Sequence, residues 1–121
     1  MATILIVDDD PSFGAMLRQR LMRTGHRVDF QQGAFGTLNK LKQGYDLLII
    51  DVYMPALDGT RLIQEIRRSP DLGGLRIILA SSMDEAPLAA LAKQHGADSY
   101  LWKAAPSVEI VATVGAVLSS G

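Results

Sequence analysis

The chain has 121 residues, is 48% hydrophobic and carries twelve basic against thirteen acidic side chains for a net charge of -1. That size and apolar content suit one domain with a substantial core, and the balanced charge leaves no basic patch to draw nucleic acid. The absence of cysteine excludes a disulfide framework or thiolate metal centre; with no signal-peptide pattern and no apolar run of membrane-spanning length, the expected compartment is the cytoplasm, away from the membrane.

Short runs of Ile, Val and Leu alternate with amphipathic stretches, the pattern of repeated strand-helix units around a parallel sheet. Five such pairs are predicted. Thr3 to Val7 reads as a strand buried on both faces, and Asp10 and Pro11 read as the cap and first residue of a helix. That helix carries Phe13, Met16, Leu17, Leu21 and Met22 on its apolar stripe and stops at Gly25. His26 to Gln32 is the second strand, followed by a short helix marked by Phe35, Leu38 and Leu41 and stopped by Gly44. Leu47 to Ile50 is the third strand and runs straight into Asp51. A loop shaped by Met54-Pro55 and Asp58-Gly59 precedes a helix carrying Leu62, Ile63 and Ile66. The fourth strand, Arg76 to Ala80, ends at Ser81-Ser82, and Asp84 and Pro87 open a helix with Leu88 and Leu91 inward and Gly96 as its stop. Ser99 to Trp102 forms the fifth strand, ending at Lys103, and the last helix spans about Ser107 to Leu118.

In open α/β sheets, functional groups gather beyond the carboxyl ends of the strands, where the loops share one crevice. This rule selects Asp8 and Asp9, Asp51, Ser81 and Lys103. Three carboxylates at about 5 Å repel by roughly 3 kcal/mol per pair at an effective dielectric of about 20, so they call for a cation or a proton. Oxygen donors without His or Cys favour Mg2+, with Mn2+ as the alternative, over zinc. Such an ion would hold a phosphoryl donor beside Asp51. Asp51 then serves as nucleophile, Lys103 offsets charge on the phosphoryl oxygens, and Ser81 donates a hydrogen bond to one of them. His26 and His95 lie at helix-to-strand junctions, away from this group.

Taken in order, Ile6-Val7-Asp8-Asp9, the segment Ile49 to Gly59 around Asp51, the strand ending in Ser81, and Tyr100-Leu101-Trp102-Lys103 resemble the receiver domain of two-component response regulators. The likeness runs from Thr3 to the last helix and is closest in kind to single-domain chemotaxis-type receivers, so residues 1–121 are expected to be one receiver domain. The resemblance implies a flavodoxin-like (βα)5 three-layer sandwich with a five-stranded parallel sheet in the order 2-1-3-4-5. It implies that Asp51 is the phosphoacceptor, that Asp9, Asp51 and the backbone carbonyl of Tyr53 bind Mg2+, and that Asp8 acts through metal-bound water. Lys103 pairs with the acceptor carboxylate, and Ser81 and Tyr100 form the switch pair. The implied phosphoryl donor is a sensor histidine kinase or a histidine phosphotransfer protein. The implied output is an altered surface of helix four, strand five and helix five, with the domain a monomer or a phosphorylation-linked dimer. Catalysis is expected only of its own phosphorylation and dephosphorylation. By the same analogy Tyr53 and Met83 rim the pocket, where their bulk should hinder attacking water and lengthen the phosphoryl lifetime.

The chain departs from that pattern at one junction: the family has Pro after the strand-five lysine, joined by a cis bond, and here Ala104 follows Lys103. A non-proline cis bond costs about 2.5–4 kcal/mol, so the bond is either strained or trans with an altered loop. This keeps a second class in play, a phosphorylation-independent pseudo-receiver that only binds partners. A third, an Asp-nucleophile phosphatase, usually uses a second acid two residues on, where this chain has Tyr53.

Overall fold

The computed structural model describes residues 1–54 and 57–120. Five parallel strands build the main sheet: β1 (Thr3–Val7), β2 (Arg27–Gln31), β3 (Leu47–Asp51), β4 (Arg76–Ser81) and β5 (Ser99–Trp102). They are hydrogen-bonded in the order β2-β1-β3-β4-β5, the expected arrangement. The helices are α1 (Pro11–Arg23), α2 (Thr37–Leu41), α3 (Gly59–Arg68), α4 (Glu85–His95) and α5 (Ser107–Ser119).

The alternation of side chains along each central strand divides the core in two. Leu5 and Val7 of β1, Leu48 and Ile50 of β3, and Ile77 and Leu79 of β4 pack with Leu41, Leu62, Ile63, Ile66, Leu88 and Ala92 from α2, α3 and α4. Ile4, Ile6, Leu47, Ile49, Ile78 and Ala80 point the other way, onto Phe13, Leu17 and Leu21 of α1 and Ile110, Val114 and Val117 of α5. Helices on both faces explain why these strands read as unbroken apolar runs.

Asp10 caps α1 as predicted, its carboxylate accepting from the N–H groups of Ser12 (3.0 Å) and Phe13 (3.3 Å), and Pro11 is the first helical residue. Several expectations need correction. Met22 lies off the buried stripe and is 46% exposed. Phe35 precedes α2 and is 99% exposed, because the turn at Gly36 (φ 75°) delays the helix to Thr37. The Gln31 side chain fixes that turn by donating to the carbonyls of Gly33 and Phe35 and approaching the Thr37 hydroxyl. The second strand omits His26, whose Nδ1 accepts from the Ala2 N–H (3.1 Å), and Gln32. Asp84 stands at the cap position of α4 without a side-chain hydrogen bond to its helix. The segment after Asp51, predicted as a plain loop, contains a small antiparallel hairpin of Tyr53–Met54 with Leu57–Asp58; Pro55 lies outside the described residues.

The end of the sheet opposite Asp51 is tied by Arg67, near the end of α3. Its guanidinium donates to the carbonyls of Leu75 (2.9 Å) and Gly96 (3.0 Å) and to Asp98 (3.0 Å), and Asp98 also accepts from the Ile77 N–H (2.7 Å). Gly96 ends α4 in the left-handed region at φ 80°.

Candidate functional site

Parallel strands that end together deliver their next side chains to one edge, and here that edge is polar. Asp8 follows β1, Asp51 ends β3, Ser81 ends β4 and Lys103 follows β5. Asp8, Asp51 and Ser81 are all buried. The register sets Asp51 opposite Ala80, one residue short of Ser81, and the Val52 N–H donates to the Ala80 carbonyl (2.9 Å).

Asp8, Asp9 and Asp51 each offer a carboxylate oxygen within 4.8 Å of the others. Asp9 is the exposed member. Both oxygens of Asp8 are engaged: Oδ1 accepts from the Asp10 N–H (2.9 Å) and Oδ2 pairs with Lys103 Nζ (2.6 Å). Lys103 Nζ also lies 3.5 Å from Asp51 Oδ1. The bond after Lys103 is trans, as are all peptide bonds among the described residues, yet the amine still reaches the pocket. Of the two geometries left open for the Lys103-Ala104 junction, the trans one is present. The lysine backbone is anchored by its own N–H, which donates to the Ser81 carbonyl (2.9 Å).

Burial, then the neighbouring charge of Asp8, push the Asp51 carboxyl up from 3.8 to about 6, with Lys103 pulling against them and Asp9 adding to the rise. The pocket therefore holds more negative charge than one ammonium neutralises. Its donors near Asp51 are carboxylate oxygens, with no imidazole or thiolate among them, and this chemistry fits a hard divalent cation such as Mg2+. Among the described residues, Asp8, Asp9 and Asp51 are the side chains grouped closely enough to hold it.

Ser81 Oγ accepts from the Met83 N–H (3.1 Å), which leaves its hydroxyl proton free to donate elsewhere. The Met83 side chain is half-buried against the core layer beneath α4, whereas Tyr53 is 66% exposed. Tyr100 is half-buried against the same layer, and its hydroxyl lies 3.3 Å from Glu85 Oε1 on α4. That carboxylate, with burial behind it, raises the tyrosine pKa. Tyr100 thus meets Glu85 on α4 rather than the cluster of Asp8, Asp9 and Asp51.

Two supports were not evident from sequence alone. Gly59 opens α3, donating its N–H to the Val52 carbonyl (3.0 Å), and a Cβ there would collide with the Asp51 backbone carbonyl. The Asp58-Gly59 pair therefore seats α3 against the end of β3 as well as turning the chain. Asp58 caps α3 through Thr60, whose hydroxyl and N–H both donate to it and hold its carboxyl below the usual range. The second support is Phe13, whose ring centroid lies 4.9 Å from Lys103 Nζ.

Residues 4–115 match the model of the response regulator receiver domain. The chain is 32% identical over 119 residues to the transcriptional activator protein IrlR of Burkholderia pseudomallei, covering 98% of itself and 51% of that protein, so it spans about half the length of this relative. It is 28% identical over 120 residues to the protein PilH of Pseudomonas aeruginosa, covering 98% of itself and 99% of PilH. Among solved structures, a response regulator from Chloroflexus aurantiacus superposes with a TM-score of 0.90 at 29% identity, with 98% of each chain covered.

Proposed function

We propose, from the premise that this chain belongs to the response regulator receiver domain family of two-component signalling, that residues 1–121 act as one phosphorylation-controlled switch with Asp51 as phosphoacceptor. The observation that carries this reading is the position of Lys103 Nζ between Asp8 (2.6 Å) and Asp51 (3.5 Å), at the edge of three clustered carboxylates. An inert module has no need to keep a buried acceptor carboxylate beside an ammonium and two further acids, since each buried charge carries a desolvation cost.

The donor is a phosphohistidine on a sensor kinase or phosphotransfer protein. An Asp51 oxygen attacks phosphorus as the P–N bond breaks, and the bonding electron pair returns to the leaving imidazole. Lys103 neutralises part of the charge on the phosphoryl oxygens, and the free Ser81 hydroxyl proton donates to one of them. When bound, Mg2+ or Mn2+ supplies the rest of the charge compensation and orients the phosphoryl group. Asp9 and Asp51, with the Tyr53 backbone carbonyl, would hold the ion, and Asp8 would act through its water.

Output passes from Ser81 and Tyr100 to the surface of α4, β5 and α5. A shallow groove of about 190 Å3 lies there, lined by Glu85, Tyr100, Trp102 and Glu109 among others. On this reading the domain works in the cytoplasm beside its donor; among the described residues no helix is long and apolar enough to cross a membrane.

The test is incubation with Mg2+ and acetyl phosphate followed by intact mass. Wild type should gain one phosphoryl group and Asp51→Ala none. No gain in wild type would favour the phosphorylation-independent binding module instead.

A further inference from the structure

Lys103 reaches its partners on a flexible four-carbon stem, and what keeps the ammonium in the pocket decides whether it is there when a phosphoryl group arrives. The backbone fixes only the root of that stem, through the Lys103 N–H to the Ser81 carbonyl (2.9 Å) and the Ala105 N–H to the Trp102 carbonyl (3.0 Å). At the other end, Nζ meets Asp8, Asp51 and the ring of Phe13 at 4.9 Å from its centroid, within cation–π range.

We propose that Phe13 is a positioning residue for Lys103, its ring holding the ammonium at the pocket while the trans Lys103-Ala104 junction leaves the side chain to find its own way there. The inference deepens the phosphoacceptor reading and takes its functional meaning from it. The carboxylates alone are an unsuitable support. Asp8 holds the amine more closely than Asp51 does, and an amine locked onto Asp8 serves a phosphoryl group on Asp51 poorly. A ring face attracts the cation over a broad area without offering a lone pair that must be given up, so the amine can shift from Asp8 toward Asp51 and remain held. The acidic run that builds the pocket also places the ring. Asp8 Oδ1 binds the Asp10 N–H, and Asp10 binds the N–H of Phe13 itself.

Phe13 is 8% exposed and packs with Leu17 and Ile110, so it serves the core as well. A series that changes ring electrons while keeping ring shape separates the two roles: wild type, 4-fluoro- and 3,4,5-trifluorophenylalanine at position 13, with Phe13→Leu as the ring-free end point. The first readout is solvent exchange of the Lys103 ammonium protons by nitrogen-15 NMR in unphosphorylated, chelator-treated protein, the resonance being assigned by its loss in Lys103→Arg. The second is the rate of phosphorylation by acetyl phosphate with Mg2+. Ammonium exchange should speed up stepwise along the series, by about three- to tenfold at its end, and phosphorylation should slow in the same order. Exchange that is flat across the fluorinated proteins, whatever Phe13→Leu does, overturns the proposal. If wild type takes up no phosphoryl group, the phosphoacceptor reading fails, and the exchange series still decides the role of Phe13.

Discussion

Exchanging Asp51 for Asn keeps the shape of the side chain and removes its charge, and the structure gives the size of the effect. The Asp51 carboxyl is shifted from 3.8 to about 6, chiefly by burial and then by Asp8. The rise of about two units amounts to roughly 3 kcal/mol at about 1.4 kcal/mol per unit. Partial solvent screening discounts that figure to about 2–3 kcal/mol. The folded chain retains the proton up to about 6, whereas the unfolded chain releases it near 3.8. Between those values the native state binds more protons than the unfolded state, so the stability of the metal-free protein falls as pH rises through the window and levels off above it. At about pH 7 the wild type therefore carries the whole penalty, and Asp51→Asn should be more stable by about 2–3 kcal/mol, or roughly 10 °C in Tm for a domain of this size. The gain should shrink toward zero below about pH 3, where both folded and unfolded carboxyls are largely protonated. Urea unfolding in the presence of a chelator measures it, followed by the fluorescence of Trp102, the sole tryptophan. An Asn variant no more stable than wild type at neutral pH, or a gain of equal size in acid, would refute the reasoning. Mg2+ should stabilise wild type and have a much smaller effect on the variant.

Gly59→Ala should destabilise the fold by about 1–3 kcal/mol, because the obstacle to its Cβ is the Asp51 backbone carbonyl rather than a movable side chain; denaturant midpoints of the two proteins give the value. Tyr53→Asn should shorten the phosphoryl lifetime severalfold, followed by loss of the phosphorylated mass after the donor is removed. Since Tyr53 is mostly exposed, its stability should change by no more than about 0.5 kcal/mol. Met83→Ala should also speed dephosphorylation, but with a stability loss of about 1–2 kcal/mol because its side chain leans on the core; an unchanged lifetime in both variants would remove these residues from the kinetics.

The frame was legible because buried parallel strands must be apolar throughout and must end in something. Leu47 to Ile50 running into Asp51, and Arg76 to Ala80 running into Ser81, announce both a strand and the polar group beyond it. Phe35 falls outside α2 because Gly36 adopts a left-handed turn, and periodicity alone does not reveal that the helix waits until Thr37. Met22 satisfies helical spacing yet falls on the solvent side, beside the fully buried Leu21. The two supports of the site, Gly59 beneath Asp51 and Phe13 beside Lys103, depend on how the chain folds back on itself, which periodicity does not report. For Gly59 a cue existed, since a glycine just after a capping Asp at a helix start invites the question of what comes close.

The Arg67 clamp gives α4 unequal ends. At its carboxyl end, the Gly96 carbonyl is held by Arg67, and the same guanidinium grips Asp98 and Leu75, so that end is fastened to both α3 and the base of the sheet. At its amino end, Asp84 supplies no side-chain cap, and the chain leads back through Met83 to the Ser81 hydroxyl. A helix fastened more firmly at one end than the other favours a swing about the firmer end over a shift of the whole helix. If Ser81 rearranges as the proposed switch requires, it would act on the less fastened end, with the largest displacement expected near Glu85, the residue that meets Tyr100, and the smallest at His95.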